Sequence, residues 1–317
     1  MTDSGIDTGG LGADKGGAGR GGSLPASLII CSRNRPALLR DTVASVLAGE
    51  AVPAELVVVD QSDAPHPELS TLTTERACAI RYLWEPRVVG LSRARNAGIA
   101  AARHDILAII DDDMFVAPGW FTAFVGALLV AGEGTVVTGR VLPAAHEAAG
   151  GFVLALVVDE HPAVYRGRIG KDVLAGGHMA THRSTLAAVG GFDEQLGAGS
   201  PFPAADDNDL GFRLLEAGYR IVYVPDAVVY HRAWRPKWDY PRMRWNYGLG
   251  KGGFYAKHAS LRDPYMLRRL GWDIGHRIRL FPHRALHERY RACGDVVYML
   301  GILYGAVRWR LTQRRTG

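Results

Sequence analysis

The 317-residue sequence predicts an α/β fold: a mostly parallel sheet flanked by helices, with a basic and mainly helical C-terminal extension. Three observations predict it. The run Ile-Leu-Ala-Ile-Ile (106–110) has the unbroken apolar character of a strand buried on both faces, and it ends in Asp111, Asp112 and Asp113. Short apolar runs alternate with helical patterns between residues 27 and 231, as in sheets built from right-handed crossovers. Beyond residue 231 the composition turns to Trp, Tyr, Gly and Arg.

The elements follow in order. Residues 1–24 are Gly-rich and lack apolar periodicity, so a disordered leader is expected; they contain no apolar h-region of a secretory signal. Residues 27–31 read as the first strand, and Pro36 opens a helix to Leu47, since proline suits a first helical turn. Residues 55–59 form a second strand ending in Asp60, and 80–84 a third. A helix over 92–102 is expected to be capped by Ser92. Strand 106–110 follows, then a helix opened by Pro118, a strand over 136–141, and a helix over 184–189 ending in the Gly190-Gly191 turn. A helix over 209–217 is closed by Gly218. Strand segments at 221–224 and 228–230 lead to His231, while residues 146–172 show no clear period. The catalytic body is thus expected over 25–231 and the extension over 232–317.

Charge and cysteine usage narrow the class. The net charge is +5, but residues 232–317 carry 19 Lys/Arg against 5 Asp/Glu, leaving 18 against 27 for the rest. A basic tail on an acidic body suits an anionic surface. Cys31, Cys78 and Cys293 are scattered and odd in number, which argues against disulfides or a cysteine metal site and fits a reducing cytosol. No Gly-x-Gly-x-x-Gly follows the first strand, which excludes a dinucleotide-dependent oxidoreductase. Three adjacent carboxylates at a strand end repel one another and need a counter-charge. A hard divalent cation, Mg²⁺ or Mn²⁺, shared with a substrate phosphate would supply it.

Six motifs in order resemble the family 2 glycosyltransferases: Ile-Cys-Ser-Arg-Asn-Arg-Pro (30–36), Val-Val-Val-Asp-Gln-Ser-Asp (57–63), Gly-Leu-Ser-Arg-Ala-Arg-Asn-Ala-Gly-Ile (90–99), Ile-Asp-Asp-Asp (110–113), Gly-Gly-Phe-Asp-Glu (190–194) and Asp-Asp-Asn-Asp-Leu (206–210). The resemblance implies a GT-A fold, a nucleotide diphosphate sugar donor and a hydroxyl acceptor on a glycan or lipid-linked molecule. The reaction would be an inverting hexosyl transfer in cell-envelope polysaccharide or glycolipid synthesis. It implies that Asp60 contacts the nucleobase, with Ser32 and Arg35, or equally Arg33, near the nucleotide, and Arg95 and Asn96 beside it. Asp113 would ligate the metal, Asp111 would bind metal and donor, directly or through water, and Asp112 would orient the donor. His231 stands where some members supply a further metal ligand, and an imidazole would favour Mn²⁺.

The family's Gly-Glu-Asp run, whose aspartate is the catalytic base, falls on Ala205-Asp206-Asp207, which makes Asp207 the base. Asp206 replaces glutamate and Ala205 replaces glycine, so which carboxylate acts stays open. On the acceptor side the resemblance implicates Asp206 and His178, the latter where asparagine is common. A nucleotidyltransferase of similar fold and a non-catalytic sugar or nucleotide binder are the alternatives.

In the extension, aromatic residues including Trp234 interleave with basic ones, a pattern suited to sugar rings and to phosphate or phospholipid headgroups. Gly248 to Gly253 reads as a mobile loop. The uncharged stretch 296–307 would span only about 18 Å as a helix, short of a bilayer core of about 30 Å. It is a core helix or an in-plane anchor. The expected location is cytoplasmic, peripheral on the inner face of the plasma membrane, with nucleic acid disfavoured as a partner.

Overall fold

The computed structural model describes residues 22–74, 76–144, 151–232 and 234–316. The chain runs β1 (Ser23–Ser32), α1 (Pro36–Leu47), β2 (Val52–Asp60), β3 (Ala79–Trp84), α2 (Leu91–Ala101), β4 (Ile106–Asp111), β5 (Met114–Val116) and α3 (Trp120–Ala131). It continues through β6 (Thr135–Pro143), β7 (Ala163–Arg166), β8 (His178–His182), α4 (Arg183–Ala188), α5 (Asp206–Glu216) and β9 (Arg220–His231) to α6 (Tyr240–His258), α7 (Tyr265–His287) and α8 (Arg289–Thr316). Leader residues 1–21 lie outside the described residues, and Ser23 and Leu24 are already paired with Val52 and Pro53, so the ordered chain starts before residue 25.

One nine-stranded sheet has the order β3-β2-β1-β4-β8-β6-β9-β5, with β7 also on β9. The expected parallel pairing holds from β3 to β4 and returns between β6 and β9. Between and beyond them, β8, β5 and β7 pair antiparallel, so the sheet is mixed. In β4, Ala108 and Ile110 join the core under α1 and α3, while Leu107 and Ile109 join the one under α2, α4 and α5. Burial on both faces is why this strand is apolar throughout. Each such side chain contributes roughly 1.5–3 kcal/mol. Register levels the strand ends, Ser32 standing beside Asp60 and Cys31 beside Asp111, so polar side chains of three strands emerge at one edge.

Several helix starts differ from expectation for local reasons. Ser92 lies inside the first turn of α2, its hydroxyl given to the Leu196 carbonyl at 2.7 Å. The N-cap is Gly90, at a φ of +122° open to glycine. α3 begins at Trp120, two residues after Pro118, whose carbonyl is taken by the Glu50 amide. α5 starts at Asp206, so the acidic run is a helical first turn, where the N-terminal dipole favours negative charge.

The extension forms three helices. Gly248 to Gly253 is no mobile loop but the middle of α6, packed against α8. A β-carbon at Gly248 or Gly252 would collide with the Tyr298 or Ile302 carbonyl, and one at Gly305 with the Leu249 carbonyl. The glycines let two helix backbones touch. α8, which contains 296–307, buries Tyr298, Ile302 and Trp309, the last against Phe202 with 4.9 Å between ring centroids.

Candidate active site

The carboxyl ends of β1 and β4 open into a cleft of about 580 Å³, closed opposite by the start of α5 and by α6 and α8. Of the expected residues, Ser32, Arg33, Arg35, Arg95, Asp111, Asp112, Asp113, Asp206, Asp207 and His231 line it.

The aspartates after β4 are held apart by different partners. Asp112 accepts from Ser32 Oγ at 2.6 Å and from Arg35 Nη1 at 3.0 Å. Burial nonetheless pushes its carboxyl up to about 7, against the pull of Arg35. Asp113 also accepts from Arg35, at 2.7 Å, and its other oxygen lies 3.4 Å from His231 Nε2. Burial opposes its charge, but His231 and Arg35 prevail and bring it to about 2. In return, although burial disfavours the imidazolium, Asp113 holds His231 above the usual range.

Asp111 turns the other way and accepts from Arg95 Nη2 at 2.7 Å. Gly177 covers it so closely that a β-carbon there would overlap the carboxylate. The expected three-residue metal set is therefore not assembled: among the described residues no three His, Cys, Asp or Glu converge, and Asp111 stands with Arg95. What remains for a divalent cation is Asp113 with His231, one oxygen and one nitrogen donor. That pair fits a site completed by diphosphate oxygens and water. The guanidinium of Arg35 on the same carboxylates shows the demand for positive charge.

Arg95 is 2% exposed and spans the cleft floor, reaching Asp206 at 2.5 Å with its other terminal nitrogen. Desolvation of this guanidinium is offset by the two carboxylates, which keep it charged. Asp206 is thereby paired with a cation that it shares with Asp111. Asp207, the next residue, has no direct cation partner among the described residues; one oxygen accepts from the Asn208 amide at 2.8 Å. Burial, then the negative charges of Asp206 and Asp172, push Asp207 up to about 7. Lys251 of α6 pairs with Asp172 at 2.5 Å and tempers that rise.

Four expected residues do not reach the cleft. Asp60 is 1% exposed, its oxygens taken by the Ser62 amide at 2.9 Å and the Tyr82 hydroxyl at 2.5 Å; its neighbour Gln61 lines the cleft instead. Asn96 clamps the turn before α5, giving to the Phe192 carbonyl at 2.9 Å and accepting from its amide at 3.0 Å. His178 is fully buried, receives Trp120 Nε1 at 2.8 Å, and packs on Phe124, burial driving it down to about 3. The register of β8 sets His178 opposite Ile110, on the face that packs with Trp120 and Phe124. Trp234 gives its indole proton to the Ala144 carbonyl at 2.8 Å. The residues that sequence reasoning passed over are Asp172, Gln61 and Tyr298. Asp172 lay in the stretch without a period, and nothing in the sequence marked the other two.

Residues 27–153 match the family model described as glycosyl transferase family 2. The chain is 27% identical over 248 residues to a pre-mycofactocin glycosyltransferase of Mycobacterium tuberculosis, covering 76% of this chain and 50% of that protein. It thus spans about half the length of the curated relatives it first matches. Among solved structures it resembles the mannosyltransferase PcManGT from Pyrobaculum calidifontis in complex with GDP-Man and Mn²⁺ (TM-score 0.53, 16% identity, 89% of this chain and 86% of that one). It also resembles GalNAc-T7 with UDP, GalNAc and Mn²⁺ (TM-score 0.52, 18% identity, 76% and 52%). At these identities the likeness concerns the fold.

Proposed function

We propose, from the premise that the chain carries a family 2 glycosyltransferase domain and has a GT-A fold, that it moves a hexosyl group from a nucleotide diphosphate sugar to a hydroxyl, with inversion. The observation that carries the reading is the contrast between Asp206, paired with Arg95, and Asp207, which faces the cleft without a cation partner among the described residues and with a carboxyl poised near neutrality. A group that ionises at about 7 is matched to accepting a hydroxyl proton at physiological pH.

The donor is assigned to the β1 and β4 side of the cleft, where Ser32 and Arg35 fix Asp112 and Asp113. A divalent cation held by Asp113 and His231 would neutralise charge on the departing diphosphate. Arg35, half exposed and singly hydrogen-bonded to each carboxylate, is free to turn toward phosphate oxygens. On the other side Asp207 takes the acceptor proton as the hydroxyl oxygen bonds to the anomeric carbon. The bond from that carbon to the diphosphate oxygen breaks, and a nucleoside diphosphate leaves. One base and no protein nucleophile suffice, hence inversion. The acceptor would enter past Tyr247, Lys251 and Tyr298 and be a glycan or lipid-linked molecule, as in envelope polysaccharide or glycolipid synthesis. Relatives named as glycosyltransferases and neighbours crystallised with nucleotides and Mn²⁺ support this reading.

The test is Asp207→Asn, assayed with UDP-, GDP- and dTDP-sugars in Mn²⁺ or Mg²⁺. Transfer should fall about 10²–10⁴-fold while thermal stabilisation by the matching nucleoside diphosphate persists. Full transfer by the variant would move the base elsewhere. No nucleotide-dependent stabilisation of the wild type would overturn the enzyme reading itself.

A further inference from the structure

Helix α7 turns charged side chains inward along most of its length. Met266, Arg269, Asp273, Arg277 and Arg284 recur at helical spacing and face the protein, where Arg277 pairs with Asp273 at 3.1 Å and with Asp295 of α8 at 3.3 Å. Arg284 also pairs with Asp295, Arg269 reaches Asp172, and Tyr298 donates to Asp273 at 3.0 Å. A flank of the same helix, about a quarter turn from that face, carries Leu267, Ile274, Ile278 and Phe281 on one stripe, with Ile278 58% exposed. Trp272, nearby on the helix, is 68% exposed. A helix packed on a soluble domain turns its apolar stripe inward; α7 does so at Tyr265, Met266 and Leu270 but leaves this second stripe largely uncovered. The antiparallel neighbour α8 adds Val296, Leu300, Leu303, Val307 and Leu311, again one stripe, each between 39% and 59% exposed.

Charge selects what covers these stripes. Among the described residues of the two helices, every exposed charged side chain is an arginine: Arg268, Arg279, Arg289, Arg291, Arg310 and Arg314. Their carboxylates are withdrawn, Asp273 and Asp295 into the inward network and Glu288 onto Arg291 at 3.2 Å. A second copy docking through the same faces would set arginine against arginine. An anionic bilayer satisfies both features, with apolar side chains in the acyl boundary and guanidinium groups at the phosphates. No described helix is long and apolar enough to cross a membrane, so contact would lie in the plane.

We propose that the outward faces of α7 and α8 form a docking surface for an anionic lipid bilayer. This goes beyond the catalytic reading and does not depend on it. The test is flotation of the full chain with vesicles of phosphatidylcholine alone or with about 30 mol% phosphatidylglycerol, a stand-in for anionic leaflets. The chain should float with the anionic vesicles, less so as salt rises, and not with the neutral ones. Ile278→Ser, Phe281→Ser and Leu303→Ser together should weaken partitioning about tenfold or more. Arg268→Gln with Arg279→Gln should weaken the preference for anionic lipid. Unchanged circular dichroism and nucleoside diphosphate binding would show that these variants remain folded. Failure to float with anionic vesicles, or equal flotation of the apolar variant, would overturn the proposal. So would a concentration-dependent dimer, abolished by that variant, in place of lipid binding.

Discussion

Asp207 and Asp206 are neighbours with different partners, and the difference comes from one arginine. Arg95 covers Asp206 and leaves Asp207 facing the negative charges of Asp206 and Asp172. The consequence for pH has a definite sign. The base must be ionised, so kcat/KM should rise with pH through about 7 and then level. Stability should move the other way: the folded carboxyl sits above its ordinary value of 3.8, so the unfolded chain releases that proton first, and stability is lost between there and about 7. Asp207→Asn should therefore raise the melting temperature at pH 8 and leave it unchanged near pH 3.5, measured by calorimetry. A variant melting no higher at pH 8 would mean that the carboxyl is not strained. At this scale the sequence was only partly legible. Strand-end aspartates announce a site, but whether Asp60 or Gln61 faces the cleft depends on Tyr82 of the adjacent strand, and His178 is decided by the register of β8 against β4. Neither is written in local spacing.

Among the elements, α6 and α8 show how a composition signal misleads. Glycine clusters usually mark loops, and Gly248 to Gly253 reads as one until a second helix is laid against it. The backbone contact leaves no room for a side chain. Gly252→Leu should cost about 2–4 kcal/mol through overpacking against the Ile302 carbonyl. Urea denaturation at pH 7.5 would measure it, and a loss below 0.5 kcal/mol, the level of ordinary surface changes, would contradict the tight crossing. Other elements were plain: Pro36 begins α1, Gly218 at a φ of +87° follows the end of α5, and the β4 run is buried throughout. Those signals are local and backbone-driven. The start of α5 was hidden because three carboxylates within four residues look like a loop, although a helix N-terminus welcomes them.

For the whole molecule, the sheet and the helical extension share side chains at their junction. Phe202 packs on Trp309, and Lys257 and His258 of α6 converge with Arg213 on Asp209, which they hold at about 2 against the cost of burial. Thermal unfolding should accordingly be one calorimetric transition, with calorimetric and van't Hoff enthalpies equal. Two resolved transitions would mean that the extension melts by itself. The change in composition after residue 231 signals a new architecture but says nothing of this junction, because the contacts join residues 48 to 107 positions apart.

Arg95 has a further consequence. One guanidinium serves Asp111 on the side assigned to the donor and Asp206 next to the base, so neither carboxylate can change its environment without altering the field at the other. Coupling of this kind is reciprocal: whatever the arrival of a nucleotide diphosphate does to the acceptor side, an acceptor does in equal measure to the nucleotide. With donor and acceptor placed as proposed, binding in one half of the cleft would be coupled through that shared arginine to binding in the other.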